Sequence, residues 1–346
     1  MIRVHRSIVD GIRSARSGPE LWVYLENAVK LEHSTIPPYL TAMFSLKPGT
    51  NREIAGLIRS IVIQEMLHMT IAANILIAIG GRPQINRKDF IPDYPGPLPM
   101  NIGDLRVGIE AFSIPLVEKV FMAIEEPEDE IHIEKMLAAA EEEFATIGQF
   151  YDAIEVQIEK LGQSIFVDTT APPQMLASSW FPLDLLFPIT GPESAIRAIE
   201  IVKTQGEGTS KDPFESPGDL AHFYKFGEIA AGRKLIKTPG GFGYKGDPIP
   251  FDSSGVWPLR PNCKIADFSV ETQARTRITQ FAYNYANLLN ALHHAFNGNP
   301  SKFEAAIGLM YDLTVLAAAL MQTQDPAHPE FNVGPSFEYV QVQGRM

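Results

Sequence analysis

Gln64-Glu65-Met66-Leu67-His68-Met69 places a carboxylate and an imidazole inside a run, residues 58–79, that is apolar on nearly every side. Three positions apart on a helix, Glu65 and His68 project from one face. Burying both without a partner costs several kcal/mol. In a helical bundle the usual partner is a metal ion, and Glu-x-x-His is the recurring half-site of carboxylate-bridged dimetal bundles.

Working outward, Ser17-Gly18-Pro19-Glu20 opens a preceding helix that reaches about residue 46, with Pro19 suited to its first turn. Thr50-Asn51-Arg52-Glu53 reads as a capping box for the second helix, and Gly80-Gly81 as its stop. The short turn between two long helices predicts an antiparallel hairpin. On the first helix, Leu21, Leu25, Ala28, Val29, Ile36 and Tyr39 form an apolar face with Glu32 in its middle. Neither inward stripe offers a Lys or Arg, so Glu32 joins Glu65 and His68 as a candidate ligand. Pro37-Pro38 removes two backbone donors one turn after Glu32. That predicts a kink, with Ser34 or Thr35 taking up freed carbonyls.

A weak echo follows: Glu207, then Asp219-Leu220-Ala221-His222. Glycines flank Glu207 and permit a close turn that aims it inward. His222 shares a helical face with Phe226 and Ile229. Asp219 has two readings, a ligand or the acid of a cap written Ser216-Pro217-Gly218-Asp219. The candidate metal set is therefore Glu32, Glu65, His68, Glu207, Asp219 and His222. Glu143 lies near the inward stripe of a helix over 133–161, and Gln149 nearly opposite it. Thr146-x-x-Gln149 reads as a cap, and both stay outside the set.

Further helices are expected at 115–125, from 192 to the glycines around Glu207, and at 219–235, 267–296 and 301–323. Residues 82–113 form a long crossover rich in Pro and Gly, and 238–262 look irregular. The organisation expected is an N-terminal extension (1–17), a metal-binding bundle (18–237), and an irregular segment with a helical pair packed on it (238–346). The chain has 346 residues, with 45% hydrophobic and 20% charged, which suits a soluble globular protein. Its net charge of −12 argues against nucleic acid and against anionic membranes. One cysteine allows no internal disulfide, the N-terminus lacks a signal-peptide run, and 58–79 reads as core rather than membrane. The cytoplasm is the expected location. No phosphate loop, serine triad or Cys-x-x-Cys is present.

Several segments together resemble one family: Leu31-Glu32-His33-Ser34-Thr35-Ile36-Pro37-Pro38, Gln64 to Met69, Thr146 to Tyr151, Gln205-Gly206-Glu207-Gly208, His222 to Phe226, and Gly334 to Tyr339. The family is the ferritin-like iminophenyl-pyruvate dimer synthase family, which includes the C-terminal region of the violacein (bisindole) biosynthesis protein B. The resemblance runs from about residue 18 to 340. It implies an all-α, ferritin-like four-helix bundle with a long crossover and additional C-terminal helices. It also implies an iron centre and oxidative coupling of amino-acid-derived imines in secondary metabolism. Gln149 stands where many relatives carry an acid.

Three readings of function follow. The first is a non-haem di-iron oxidase or oxygenase taking O₂ and a small molecule, with Mn or Zn as other metals for the site. Its substrate would enter past the aromatic residues of 82–113 or 238–262. The second is a non-catalytic metal-binding protein, and the third a helical scaffold whose Glu and His groups pair with each other. A homo-oligomer is compatible with each.

Overall fold

The computed structural model describes residues 2–101, 103–127, 144–167, 174–176, 180–207, 213–216 and 219–341; the side chains of 144, 207, 215 and 216 also fall outside the description. A short helix α1 (Arg6–Ser14) precedes two long ones, α2 (Gly18–Ser45) and α3 (Arg52–Ala78). These two form the most extensive helix contact in the fold, the expected hairpin. Gly80, at φ +83°, follows α3, as a helix C-terminus favours. The Thr50–Glu53 capping box does not form. Asn51 instead adopts a left-handed conformation, and its amide grips the backbone of Asp252 at 2.8 and 2.9 Å. Tertiary bonding here outweighs local capping.

The remaining two arms of the bundle are each broken in two. The third arm starts with α4, built from Ile114–Leu116, a π-helical turn Val117–Phe121, and Met122–Ile124. It resumes as α5 (Ile147–Leu161). The fourth arm is α6 (Pro192–Glu207), then α7 (His222–Ala231). Helix α4 packs on α7 and α5 on α6, while α6 and α7 both pack on α3. Pro127 follows α4 and cannot extend it. Thr146 restarts the third arm, its hydroxyl accepting from the Gln149 amide at 3.0 Å, so Gln149 serves the cap. Of the helix expected at 133–161, residues 133–143, Glu143 among them, lie outside the description.

The helix expected at 219–235 is shorter. Asp219 and Leu220 form strand β4, paired with β3 (Phe214–Ser216), so Asp219 is not a helix cap. Helix α7 ends at Gly232, φ +64°. The chain then enters a hairpin, β5 (Arg233–Thr238) with β6 (Gly241–Pro248), where the end of a helix and then irregular chain from 238 were expected. Short strands β1 (Val4–His5) and β2 (Phe144–Ala145) also pair. A side chain at Gly227 would collide with the Tyr244 hydroxyl, so glycine lets the hairpin lie against α7. Helices α8 (Gln273–Phe296) and α9 (Lys302–Met321) pack together, α9 touching α2 and α8 touching α3. By length and composition α3 and α9 could each cross a membrane, but 83% of α3's apolar window is buried within the fold.

Helix α2 runs unbroken through Pro37 and Pro38. Pro38 cannot donate to the Ser34 carbonyl, four residues back. The Tyr94 hydroxyl donates to that carbonyl instead, at 2.5 Å. The Ser34 hydroxyl bonds elsewhere, to the Leu31 carbonyl, and the Thr35 hydroxyl has one proton to share between the Glu32 carbonyl and the Glu65 carboxylate. Tyr94 is thus a tertiary substitute for a missing helix bond. Tyr94→Phe should lower stability by about 1 kcal/mol in urea denaturation. In a Pro38→Ala background, where the helix supplies its own donor, the same change should cost measurably less.

Candidate metal centre

Five side chains meet where the two broken arms join. Glu32 comes from α2, and Glu65 and His68 from α3. Glu125 sits at the end of α4, and His222 is the first residue of α7. Two overlapping trios form, Glu32/Glu65/His68 and Glu65/Glu125/His222, the ligand atoms of each lying within 4.8 Å of one another. Glu65 belongs to both. His222 Nδ1 lies 2.9 Å from Glu65 Oε1 and 3.4 Å from Glu125 Oε2. His68 Nδ1 lies 3.4 Å from Glu32 Oε2 and 3.9 Å from Glu65 Oε1. All five residues are buried or nearly so.

The outward atoms of these groups are held by neighbours. Glu65 Oε2 accepts from Thr35 at 2.7 Å, Glu125 Oε1 from Tyr39 at 2.5 Å, and Glu32 Oε1 from Tyr151. Burial, and then the adjacent carboxylates, push the Tyr39 and Tyr151 phenols well above their usual range, so both stay O–H donors. His68 Nε2 meets Gln205 Oε1 at 3.0 Å and His222 Nε2 meets Gln64 Oε1 at 3.2 Å. Lys225, a pure donor, reaches the same Gln64 oxygen at 2.7 Å. That oxygen is therefore the amide carbonyl, and His222 Nε2 must carry a proton to bond it. The two halves of the cluster match in the kinds of residue they use. Glu32, Tyr151, His68 and Gln205 on one side mirror Glu125, Tyr39, His222 and Gln64 on the other, with Glu65 and Thr35 between them.

With Nε2 protonated in each ring, the atoms left facing inward are three carboxylate oxygens and two imidazole nitrogens. These are acceptors, and His222 Nδ1 is buried with no hydrogen-bond donor opposite it among the described residues. Such a cluster needs positive charge between its members. Protons are one source: burial lowers the His222 pKa, but Glu125 and Glu65 outweigh burial and lift it to about 9. Burial and then Glu125 raise that of Glu65. Metal ions are the other source, and a mixed carboxylate and imidazole set suits iron, manganese or zinc. The residues present fit a metal pair. A cavity of about 60 Å³ touches Glu32, Glu65, His68 and Glu125, walled by Ile2, Ile124, Ile147 and Val202.

The structure thus gathers Glu32, Glu65, His68 and His222. Asp219 stands apart: it lies in β4, half exposed, and its carboxylate pairs with Lys225 at 3.0 Å. The strand breaks the helical phase that would have turned it inward. Glu207 ends α6, two residues after Gln205, and its side chain falls outside the description. Glu125 went unread in the sequence. The available signal was an acid at a helix C-terminus just before Pro127, where the macrodipole disfavours negative charge. Among the described residues, the walls of the central cavity come from neither 82–113 nor 238–262, contrary to the expected substrate route. Trp257 faces a different cavity, and Phe251 packs on Phe112.

Residues 25–231 match the family model described as Ferritin-like, and the chain belongs to that family. A crystal structure of a ferritin-like protein from Caulobacter vibrioides is similar in fold, with a TM-score of 0.59 and 22% sequence identity. The match covers 92% of this chain and 98% of that one. No curated protein matches the chain. Because Thr35, Tyr39 and Tyr151 orient the candidate ligands, Thr35→Val, Tyr39→Phe and Tyr151→Phe should each weaken metal binding about 10- to 100-fold. Competition against a chromophoric chelator measures this, with circular dichroism expected to show an intact fold.

Proposed function

We propose that this ferritin-like chain binds two metal ions, iron foremost, and works as a non-haem di-iron oxidase or oxygenase on a small molecule. The observation that carries the reading is the paired trios sharing Glu65, with acceptor atoms inward and each outward atom held. Glu32 and His68 would hold one ion, Glu125 and His222 the other, and Glu65 both. Glu207 remains the sequence's candidate for a further ligand. Iron bound there would supply the reduction of O₂. The chain's own part is to keep the imidazoles in the Nδ1-ligating tautomer through Gln64 and Gln205. Thr35, Tyr39 and Tyr151 fix the carboxylates, and the isoleucine and valine walls keep bulk water out.

The substrate is proposed as an amino-acid-derived imine of secondary metabolism, on the family resemblance of the quoted motifs. The central cavity matches a solvent-sized guest rather than an aromatic amino acid, given that small-molecule pockets run to several hundred Å³. The imine would therefore react at the rim, beside Glu126 and Lys203, rather than between the ions. The same small volume favours the second reading, a metal-binding protein without turnover.

Anaerobic Fe(II) loading followed by elemental analysis and oxygen uptake separates these. About two irons per chain are expected, lost in Glu65→Ala/His68→Ala and reduced in Glu125→Gln. Oxygen uptake that rises with added aromatic amino acid imines supports the oxidase. Bound iron without substrate-linked uptake supports the metal-binding reading. Failure to bind iron, with the fold intact, overturns both.

A further inference from the structure

Across the α2–α3 hairpin from the metal centre lies a second, much larger cavity of about 650 Å³. The two sites stand back to back. Glu32, Glu65 and His68 face the centre, while their chain neighbours His33, Met66 and Met69 line the cavity. Its far wall comes from α8 and α9, with Tyr285, Leu288, Leu289 and Met310. Along α2 it reaches from His33 past Ser45 to Lys47, so the helical part alone spans roughly 18 Å at 1.5 Å per residue. Its size falls in the range of small-molecule sites rather than packing defects.

Two features indicate what would fill it. The first is charge. In a chain with 41 acidic and 29 basic residues, the charged side chains lining this cavity among the described residues are Lys47, Arg52 and Arg59, with no Asp or Glu. Arg52 and Arg59 are two turns apart on one face of α3, exposed, with no carboxylate partner among the described residues. Lys47 lies over the Trp257 ring at 4.8 Å. The second is the far end, at His33, which is 3% exposed. Its Nε2 shares a 2.6 Å hydrogen bond with the Tyr285 hydroxyl, and its Nδ1 is sealed off from the cavity space. Neither ring nitrogen is open to a guest there, so that end suits an apolar tail.

We propose that this cavity is a binding site for an anionic amphiphile, a molecule with an extended apolar chain and a carboxylate head. The chain lies between α2, α3, α8 and α9, among leucine, methionine and tryptophan side chains. The head sits at the arginine-lined mouth, and the tail points toward His33. The site is separate from the metal centre and does not depend on the metal being bound.

Trp180 and Trp257 line the cavity, two of the three tryptophans in the chain, so intrinsic fluorescence reports on occupancy. Titration of the full chain with decanoate below its micelle concentration should give a saturable change, with one ligand per chain by native mass spectrometry. Decan-1-ol should bind more weakly and decylamine not detectably. Arg52→Ser/Arg59→Ser should weaken decanoate about three- to tenfold, the scale of two exposed ion pairs, and leave decan-1-ol unchanged. Gly56 lines the mouth, and a Cβ there meets nothing within 4 Å. Gly56→Trp should therefore block decanoate while α3 stays helical and iron loading is unaffected. Absence of saturable decanoate binding, equal binding of decylamine, or undiminished binding in Gly56→Trp would overturn the proposal. So would a dimer that Gly56→Trp disrupts in a chain that binds no decanoate, which would assign the cavity to a second copy.

Discussion

Three carboxylate oxygens and two imidazole nitrogens meeting in the interior, all acceptors until a proton or a metal ion comes between them, set the terms for the rest of this fold. Such a cluster is unstable in an apolar interior unless cations enter it and every outward atom is fixed. The surrounding residues follow that requirement. Three hydroxyls hold three carboxylates, two glutamine carbonyls hold two rings, and Lys225 orients one of those glutamines. The arms are broken at the same level because the cluster draws on helix ends. Glu125 closes α4, Gln205 lies in the last turn of α6 and His222 starts α7.

Much of this was legible in the sequence where helices are long. Periodicity over α2 and α3 located Glu32, Glu65 and His68 on facing stripes, because 28- and 27-residue helices leave little freedom of phase. His222 was legible as well, since its own helix carries Phe226 and Ile229 on the same face. Legibility failed where local signals were outvoted. Asp219 sits three residues before a histidine, as a ligand would, but pairing between β3 and β4 removes it from the helix. Thr50 to Glu53 spells a cap, yet Asn51 spends its amide on residue 252. Glu125 is separated from its partners by 60 residues or more, and only tertiary packing brings it in. The hairpin at 233–248 was hidden because its glycines and Pro239 read as irregular chain.

The prolines of α2 show how one helix serves two faces. Pro38 leaves the Ser34 carbonyl without its helical donor, and Tyr94 crosses from the long connection to fill it. That bond lies two residues from Glu32 and next to His33. It ties the crossover segment to the stretch of α2 that carries a candidate ligand on one side and a cavity wall on the other. Burial pushes the His33 pKa down to about 3, while His222 on the opposite side of the hairpin is lifted to about 9. The same residue type is held neutral where it faces apolar space and favoured as a cation where it faces carboxylates.

The broken arms bear on how such a chain can diverge. Two connections leave the bundle at the level of the centre, one after Glu125 and one after α6, whereas the α2–α3 hairpin crosses that level without interruption. The spacing of Glu32, Glu65 and His68 is thus set within one hairpin, whereas Glu125 and His222 take their places from the ends of two other helices. The two halves of the centre therefore differ in how freely they can drift: a change in the length of either connection reaches the Glu125 and His222 half first and leaves the half built on the hairpin in register.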